Sequence, residues 1–190
     1  MNPEFKRKIR TLVKSGEGSI PHMYLDTVGK VTVGVGNMMP TAETAVELPF
    51  IHADSSLPAT DDEVGNEFAF ISQQTQGRLA GSYKEFTSLI LTDEYIDELL
   101  DQRIEGFVQQ LKRDFPNYDH YPEPARLGLI DMAFNLGNSG LINKFPSFTR
   151  AAREEDWASC QRECHRRGIS DTRNEEVKTL FGECANDEHA

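Results

Sequence analysis

The chain has 190 residues, 38% of them hydrophobic, which suits one domain with a sizeable core. Twenty lysines and arginines against 31 aspartates and glutamates leave a formal charge of −11, a field that repels phosphate backbones and anionic surfaces and argues against nucleic-acid binding. No apolar run approaches the roughly 18–20 residues of a bilayer span, so membrane insertion is not expected, and the cationic N-terminus is not followed by the apolar segment of a secretory signal.

In chain order, residues 4–14 predict a short helix with Phe5, Ile9, Leu12 and Val13 on one face, ended by Gly16 and Gly18. From Met23 to Val35 the pattern changes to period two. Met23 and Leu25 lead into the turn-like Asp26-Thr27-Val28-Gly29, and Val31, Thr32, Val33 and Val35 return. This is a hairpin signature, with Gly34 and Gly36 leaving the second strand thin. Prolines and glycines break up residues 37–91, where helices are expected near 41–47, 61–75 and 83–89. Thr92 then caps a long helix over 92–113, whose stripe runs from Tyr95 and Ile96 through Leu100, Ile104 and Val108 to Leu111. A nearly all-apolar helix follows from Pro122 to Gly137, with Gly128, Asp131 and Asn135 as its one narrow polar side. Shorter helices are expected near 146–153, 156–166 and 174–183. The fold class is α+β: a small lobe with a hairpin, a long connecting helix and a larger helical lobe.

Two basic clusters stand out against the acidic total. Lys6, Arg7, Lys8 and Arg10 read as a solvated face, and Arg150, Arg153, Arg162, Arg166, Arg167 and Arg173 predict a local basic surface. Cys160, Cys164 and Cys184 leave three states open: reduced thiols, one disulfide involving Cys184, or a metal site together with His165, although paired CxxC knuckles are absent. Trp157, Phe148 and Phe181 read as core of the larger lobe.

The densest chemical signal is Glu17-Gly18, then Tyr24-Leu25-Asp26-Thr27-Val28-Gly29, then Val31-Thr32-Val33-Gly34-Val35-Gly36. It sets one carboxylate at a helix end, a second at a hairpin turn, and a hydroxyl on the returning strand. Glycosidic hydrolysis needs this kind of set: one acid protonates the leaving oxygen while a second group orients or activates water. The bland alternative is a solvated helix-end glutamate and an ordinary turn aspartate.

The same residues resemble the signature of the phage-type lysozymes. The resemblance continues in Leu91-Thr92-Asp93-Glu94, in Ala133-Phe134-Asn135-Leu136-Gly137, in the spacing from Phe145 to Trp157, and in Arg173 with Val177 and Phe181. It implies one lysozyme-like catalytic domain over residues 1–190. The small lobe would cover about 15–91, the connecting helix about 92–113, and the helical lobe about 114–185 with the N-terminal helix. It further implies a muramidase that cuts peptidoglycan between N-acetylmuramic acid and N-acetylglucosamine without a cofactor or metal. Glu17 matches the family's general acid, Asp26 its second carboxylate, and Thr32 the residue that helps hold the attacking water. Asn135 matches a substrate-binding amide and Arg173 an arginine that faces the catalytic glutamate.

Two departures accompany the resemblance. Asn37 stands where the family has histidine, and the segment from about 38 to 90 is enlarged. That segment reads either as surface elaboration or as a lid, a substrate-selecting wall or an inhibitor-docking site. The expected setting is a monomer made in the cytoplasm and acting in the periplasm or cell wall. It would act as an endolysin or as an antibacterial effector with a cognate immunity protein. A non-catalytic peptidoglycan-binding module with the same fold is the alternative.

Overall fold

The computed structural model describes residues 2–187, which are mostly helical with two small antiparallel sheets, an α+β composition. They divide into two compact units. One takes the residues up to Gly16 together with those from Asp101 onward, and the other is Glu17–Leu100.

Helix α1 (Pro3–Glu17) buries Phe5, Ile9 and Val13 at a spacing of four. It runs a turn further than its sequence predicts, because Gly16 does not stop it; Gly18, at φ +78°, does. Gly16 is needed for clearance, since a Cβ there would stand 2.5 Å from the guanidinium carbon of Arg173.

Helix α4 (Asp93–Asp114) carries the chain out of Glu17–Leu100 and into the other unit. The Tyr95 N–H donates to Thr92 Oγ1 at 3.2 Å, so the expected cap is present. The basic residues of α1 lie on a solvated face, with Arg7 and Lys8 exposed, and three of them pair with carboxylates of the same unit. Arg10 grips both oxygens of Asp101 at 2.6 and 2.5 Å, Lys6 reaches Glu105 at 2.8 Å, and Lys8 reaches Glu123 at 2.5 Å. The Arg10 hydrogen bonds hold the Asp101 carboxyl below the ordinary carboxylate range against the opposing effect of burial.

The rest of this unit is helical: α5 (Glu123–Leu136), α6 (Asn138–Lys144), α7 (Pro146–Arg153), α8 (Trp157–Glu163) and α9 (Asp171–Asp187). Helix α5 is buried almost all round. Its Gly128 admits the ring of Phe181, which a Cβ would approach to 2.7 Å. Phe181 in turn stacks with Trp157 at 6.4 Å and meets the edge of Phe148 at 5.3 Å, an aromatic core in the place its residues predict. Helix α6 is not foreseen, because Asn138-Ser139-Gly140 carries no apolar period.

In Glu17–Leu100, β1 (Ile20–Leu25), β2 (Val31–Gly34) and β3 (Asn37–Met38) form an antiparallel sheet in that order. Tyr24 pairs with Thr32 and Leu25 with Val31, while an irregularity between Ile20 and Tyr24 lets the consecutive residues His22 and Met23 both be buried. The thin end of β2 has a backbone cause: Gly34 and Gly36 both take positive φ to turn the chain into β3.

The enlarged segment is folded onto this sheet. Helices α2 (Ala42–Val46) and α3 (Asp61–Ser72) each begin in a capping box, Thr41 with Thr44 and Thr60 with Glu63. The helix expected over 83–89 is instead a 3₁₀ helix at Ala80–Phe86 followed by strand β5 (Leu89–Ile90), which pairs with β4 (Ile51–His52). Glu67 explains the switch, because its Oε2 accepts from the N–H groups of Ser88 at 2.7 Å and Leu89 at 3.3 Å, drawing them away from a helical ladder. Tyr83 is fully buried with its hydroxyl donating to Thr75 O at 2.7 Å, and a Cβ on Gly29 would meet the Gln76 carboxamide carbon at 2.5 Å. Among the described residues, no helix is long and apolar enough to cross a membrane.

Candidate functional site

The hairpin turn fixes Asp26 through backbone groups alone. Its Oδ1 accepts from the N–H groups of Val28 at 2.9 Å and Lys30 at 2.8 Å, in the manner of an Asx turn. Its own N–H donates to Lys30 O at 2.9 Å, and the Gly29 N–H donates to Asp26 O at 3.0 Å. Among the described residues nothing donates to Oδ2, so one carboxylate oxygen is immobilised and the other is left for a ligand or water.

Thr32, buried in β2, donates its hydroxyl to Lys30 O at 3.1 Å, which leaves the hydroxyl oxygen's lone pairs as acceptors. Asp26 and Thr32 are therefore both tied to the backbone of one residue, Lys30. The Lys30 N–H holds the carboxylate and the Lys30 carbonyl holds the hydroxyl. Sequence reading passes over Lys30, because a backbone role leaves no mark on residue type. Glu17 is the last residue of α1 and is exposed.

The other two candidates, Asn135 and Arg173, lie in the other unit. Arg173 does not contribute to a basic surface, being only 6% exposed. Its Nε lies 3.1 and 3.2 Å from the two oxygens of Asp131, and its NH2 donates to Oδ1 at 2.8 Å. Asp131 is fully buried and also receives NH2 of Arg166 at 2.7 Å, while NH1 of Arg166 donates to the Asp131 carbonyl at 3.3 Å. Arg166 is likewise buried, its backbone clamped by the Asn174 side chain at 3.0 and 2.9 Å. Two guanidinium groups thus share one carboxylate, and its hydrogen bonds hold Arg173 over Gly16. The polar side of α5 marks Asp131 in the sequence, but its partners lie 35 and 42 residues away and carry no local signal.

Asn135 is partly exposed near the end of α5. Beside it, the ring of Phe134 packs against Phe107 at 5.0 Å and carries the Arg103 guanidinium at 4.5 Å. One turn on, both polar atoms of the Asn138 side chain are buried without a partner among the described residues. A cavity of about 320 Å³ is bounded there by Arg103, Phe107, Gln110 and Asn138. An aromatic ring beside an amide with unused donor and acceptor capacity matches the faces and acetamido groups of amino sugars.

Elsewhere, Cys160, Cys164 and Cys184 are buried thiols, and burial pushes the Cys160 and Cys164 thiols up, away from the reactive thiolate. The disulfide considered for Cys184 is not formed. No group of three or more His, Cys, Asp or Glu that could hold a metal ion occurs among the described residues. In Glu17–Leu100, burial lowers the pKa of His22, whose Nε2 lies 3.2 Å from Ala80 O. Burial raises that of Glu67, whose Oε1 has no hydrogen-bond partner among the described residues. No protein-family model matches the chain, and no curated protein matches it.

Proposed function

We propose that this chain is a peptidoglycan hydrolase with a lysozyme-like fold, a muramidase of the phage type. The observation that carries the reading is the hairpin, where the Lys30 backbone holds Asp26 and Thr32 with one carboxylate oxygen and one hydroxyl acceptor left to engage water. In this reading Glu17 gives its proton to the glycosidic oxygen as the bond to the muramic acid C1 breaks. Asp26 Oδ2 and Thr32 Oγ1 orient the attacking water, and Asp26 takes up its proton. Attack from the face opposite the leaving sugar inverts the anomeric centre. Asn135 serves substrate binding, and the Phe107 ring with Asn138 adds an amino-sugar contact; Arg173, buried against Asp131, supports the fold beside Gly16 instead of touching the sugar. No cofactor enters the scheme. The natural setting is lysis of a bacterial wall by an endolysin, or by an antibacterial effector whose producer carries an immunity protein.

The test is mass spectrometry of the products from purified peptidoglycan, comparing the parent protein with Glu17→Gln. Disaccharide muropeptides ending in reducible muramic acid are expected from the parent, with a loss of at least about 10²-fold in the variant. An intact polymer after treatment with folded parent protein would reject the hydrolase and favour the wall-binding module. Initial retention of the anomeric configuration would reject the roles given to Asp26 and Thr32.

A further inference from the structure

A second cavity, of about 490 Å³, lies within the unit that contains α5, and its walls include Phe5, Glu105, Lys112, Tyr118, Asp119 and Arg126. Glu123 also lines it. Volumes of roughly 300–1,000 Å³ are typical of small-molecule sites. Each carboxylate that lines it has a cationic partner. Glu105 has Lys6 at 2.8 Å, Asp119 has Lys112 at 2.8 Å, and Glu123 has Lys8 at 2.5 Å, a lysine that also meets Glu4 at 3.8 Å. Arg126 has no hydrogen bond or ion pair among the described residues. Its guanidinium stacks on the Phe5 ring at 4.7 Å, and its Nε is buried without an acceptor. Tyr118 is 2% exposed, and its hydroxyl is likewise buried without a partner.

We propose that this cavity binds a small monoanionic carboxylate, held by the Arg126 guanidinium and the Tyr118 hydroxyl. Both orphaned groups can donate, and a guanidinium can do nothing else, so the missing partner is an acceptor. A buried donor left unmade is costly, whereas a bidentate guanidinium–carboxylate pair satisfies two N–H groups at once. Burial suppresses ionisation of the Tyr118 phenol, which keeps it a donor across the working pH range. The unpaired guanidinium of Arg126 asks for one negative charge. A dianionic phosphate would bring a second charge against Glu105, Asp119 and Glu123. Phe5 and Val108 supply apolar wall, and the volume fits a ligand between an amino acid and a dipeptide in size.

The proposal does not depend on the hydrolase reading. Its test is titration of the isotope-labelled full chain with N-acetylalanylalanine, propionate and inorganic phosphate, following the Arg126 Nε–Hε resonance in the parent and the backbone amide resonances of residues 118 and 126 in the parent and every variant. A saturable shift with either carboxylate is expected. Saturation by the peptide alone assigns the ligand to a peptide C-terminus, and equal saturation by propionate assigns it to a free small acid. Arg126→Gln should weaken binding at least about 10-fold and Tyr118→Phe about 5-fold. If Arg126→Gln does not fold, Arg126→Lys keeps the charge without the fork and should still lose about 10-fold. No saturation by any probe, tighter binding of phosphate than of either carboxylate, or equal affinity in these variants would overturn the proposal.

Discussion

Asp131 and Asp26 are both held by paired N–H donors, yet the two regions hold them in opposite ways. In the helical unit the carboxylate is fully buried and gripped by guanidinium groups from distant parts of the chain. In Glu17–Leu100 it is half-buried and gripped by peptide groups two and four residues away. The first arrangement consumes the carboxylate and ties α5 to α9. The second immobilises one oxygen and leaves the other for chemistry. A buried charge network serves the architecture, and a local backbone clamp serves a site, because only the clamp positions a carboxylate without using all of it.

The sharpest way to break this contrast is to neutralise each aspartate. Asp131→Asn removes the buried carboxylate that two guanidinium groups share and should cost about 3–5 kcal/mol in urea unfolding. Asp26→Asn keeps an acceptor oxygen for the turn and should cost under about 1 kcal/mol, while activity falls if the proposed chemistry holds. Equal destabilisation by the two changes would dissolve the distinction.

Gly16→Ala probes the same network from α1. Arg173 cannot swing aside without releasing Asp131, so the added methyl should cost about 1–3 kcal/mol as overpacking. Releasing Asp131 first, in an Asp131→Asn background, should shrink that penalty; an undiminished penalty would show that Arg173 is not pinned.

The smallest effect is in pH dependence. Burial lowers the folded-state pKa of His22, so the unfolded chain takes up its proton first. The stability tied to this group is therefore present above about pH 6.5 and lost as pH falls through the lowered folded value. Asp101 has a lowered folded pKa on the carboxylate scale, so its contribution is present above about pH 3.9 and is lost only below that. Hydrogen exchange should accordingly show Glu17–Leu100 loosening first on acidification, and His22→Gln should delay it. Simultaneous loosening of the two units in the parent protein would refute this ordering.

Much of this was legible in the sequence because it is local. The hairpin declares itself by period two and a turn motif, α4 by its stripe and Thr92 cap, and the aromatic core by bulk. What escaped depends on partners far apart in the chain. Gly16 reads as a helix breaker until Arg173 is seen above it, and the Arg166–Asp131–Arg173 group looks like scattered surface charge. Strand β5 hides inside an expected helix because the Glu67 carboxylate, 21 residues away, redirects Ser88. Asn138 carries no period at all, and only its buried, unpartnered amide draws notice.

The backbone bridge at Lys30 also has a consequence for the freedom of this position. The work there is done by an N–H and a carbonyl that nineteen of the twenty amino acids share, while the lysine side chain points away into solvent as an exposed residue. Evolution can therefore rewrite the letter at position 30 almost at will, with proline, which lacks the N–H, as the forbidden choice. The same latitude makes it a natural anchor for a fluorescent reporter, two residues from Thr32 and without a side-chain hydrogen bond to sacrifice.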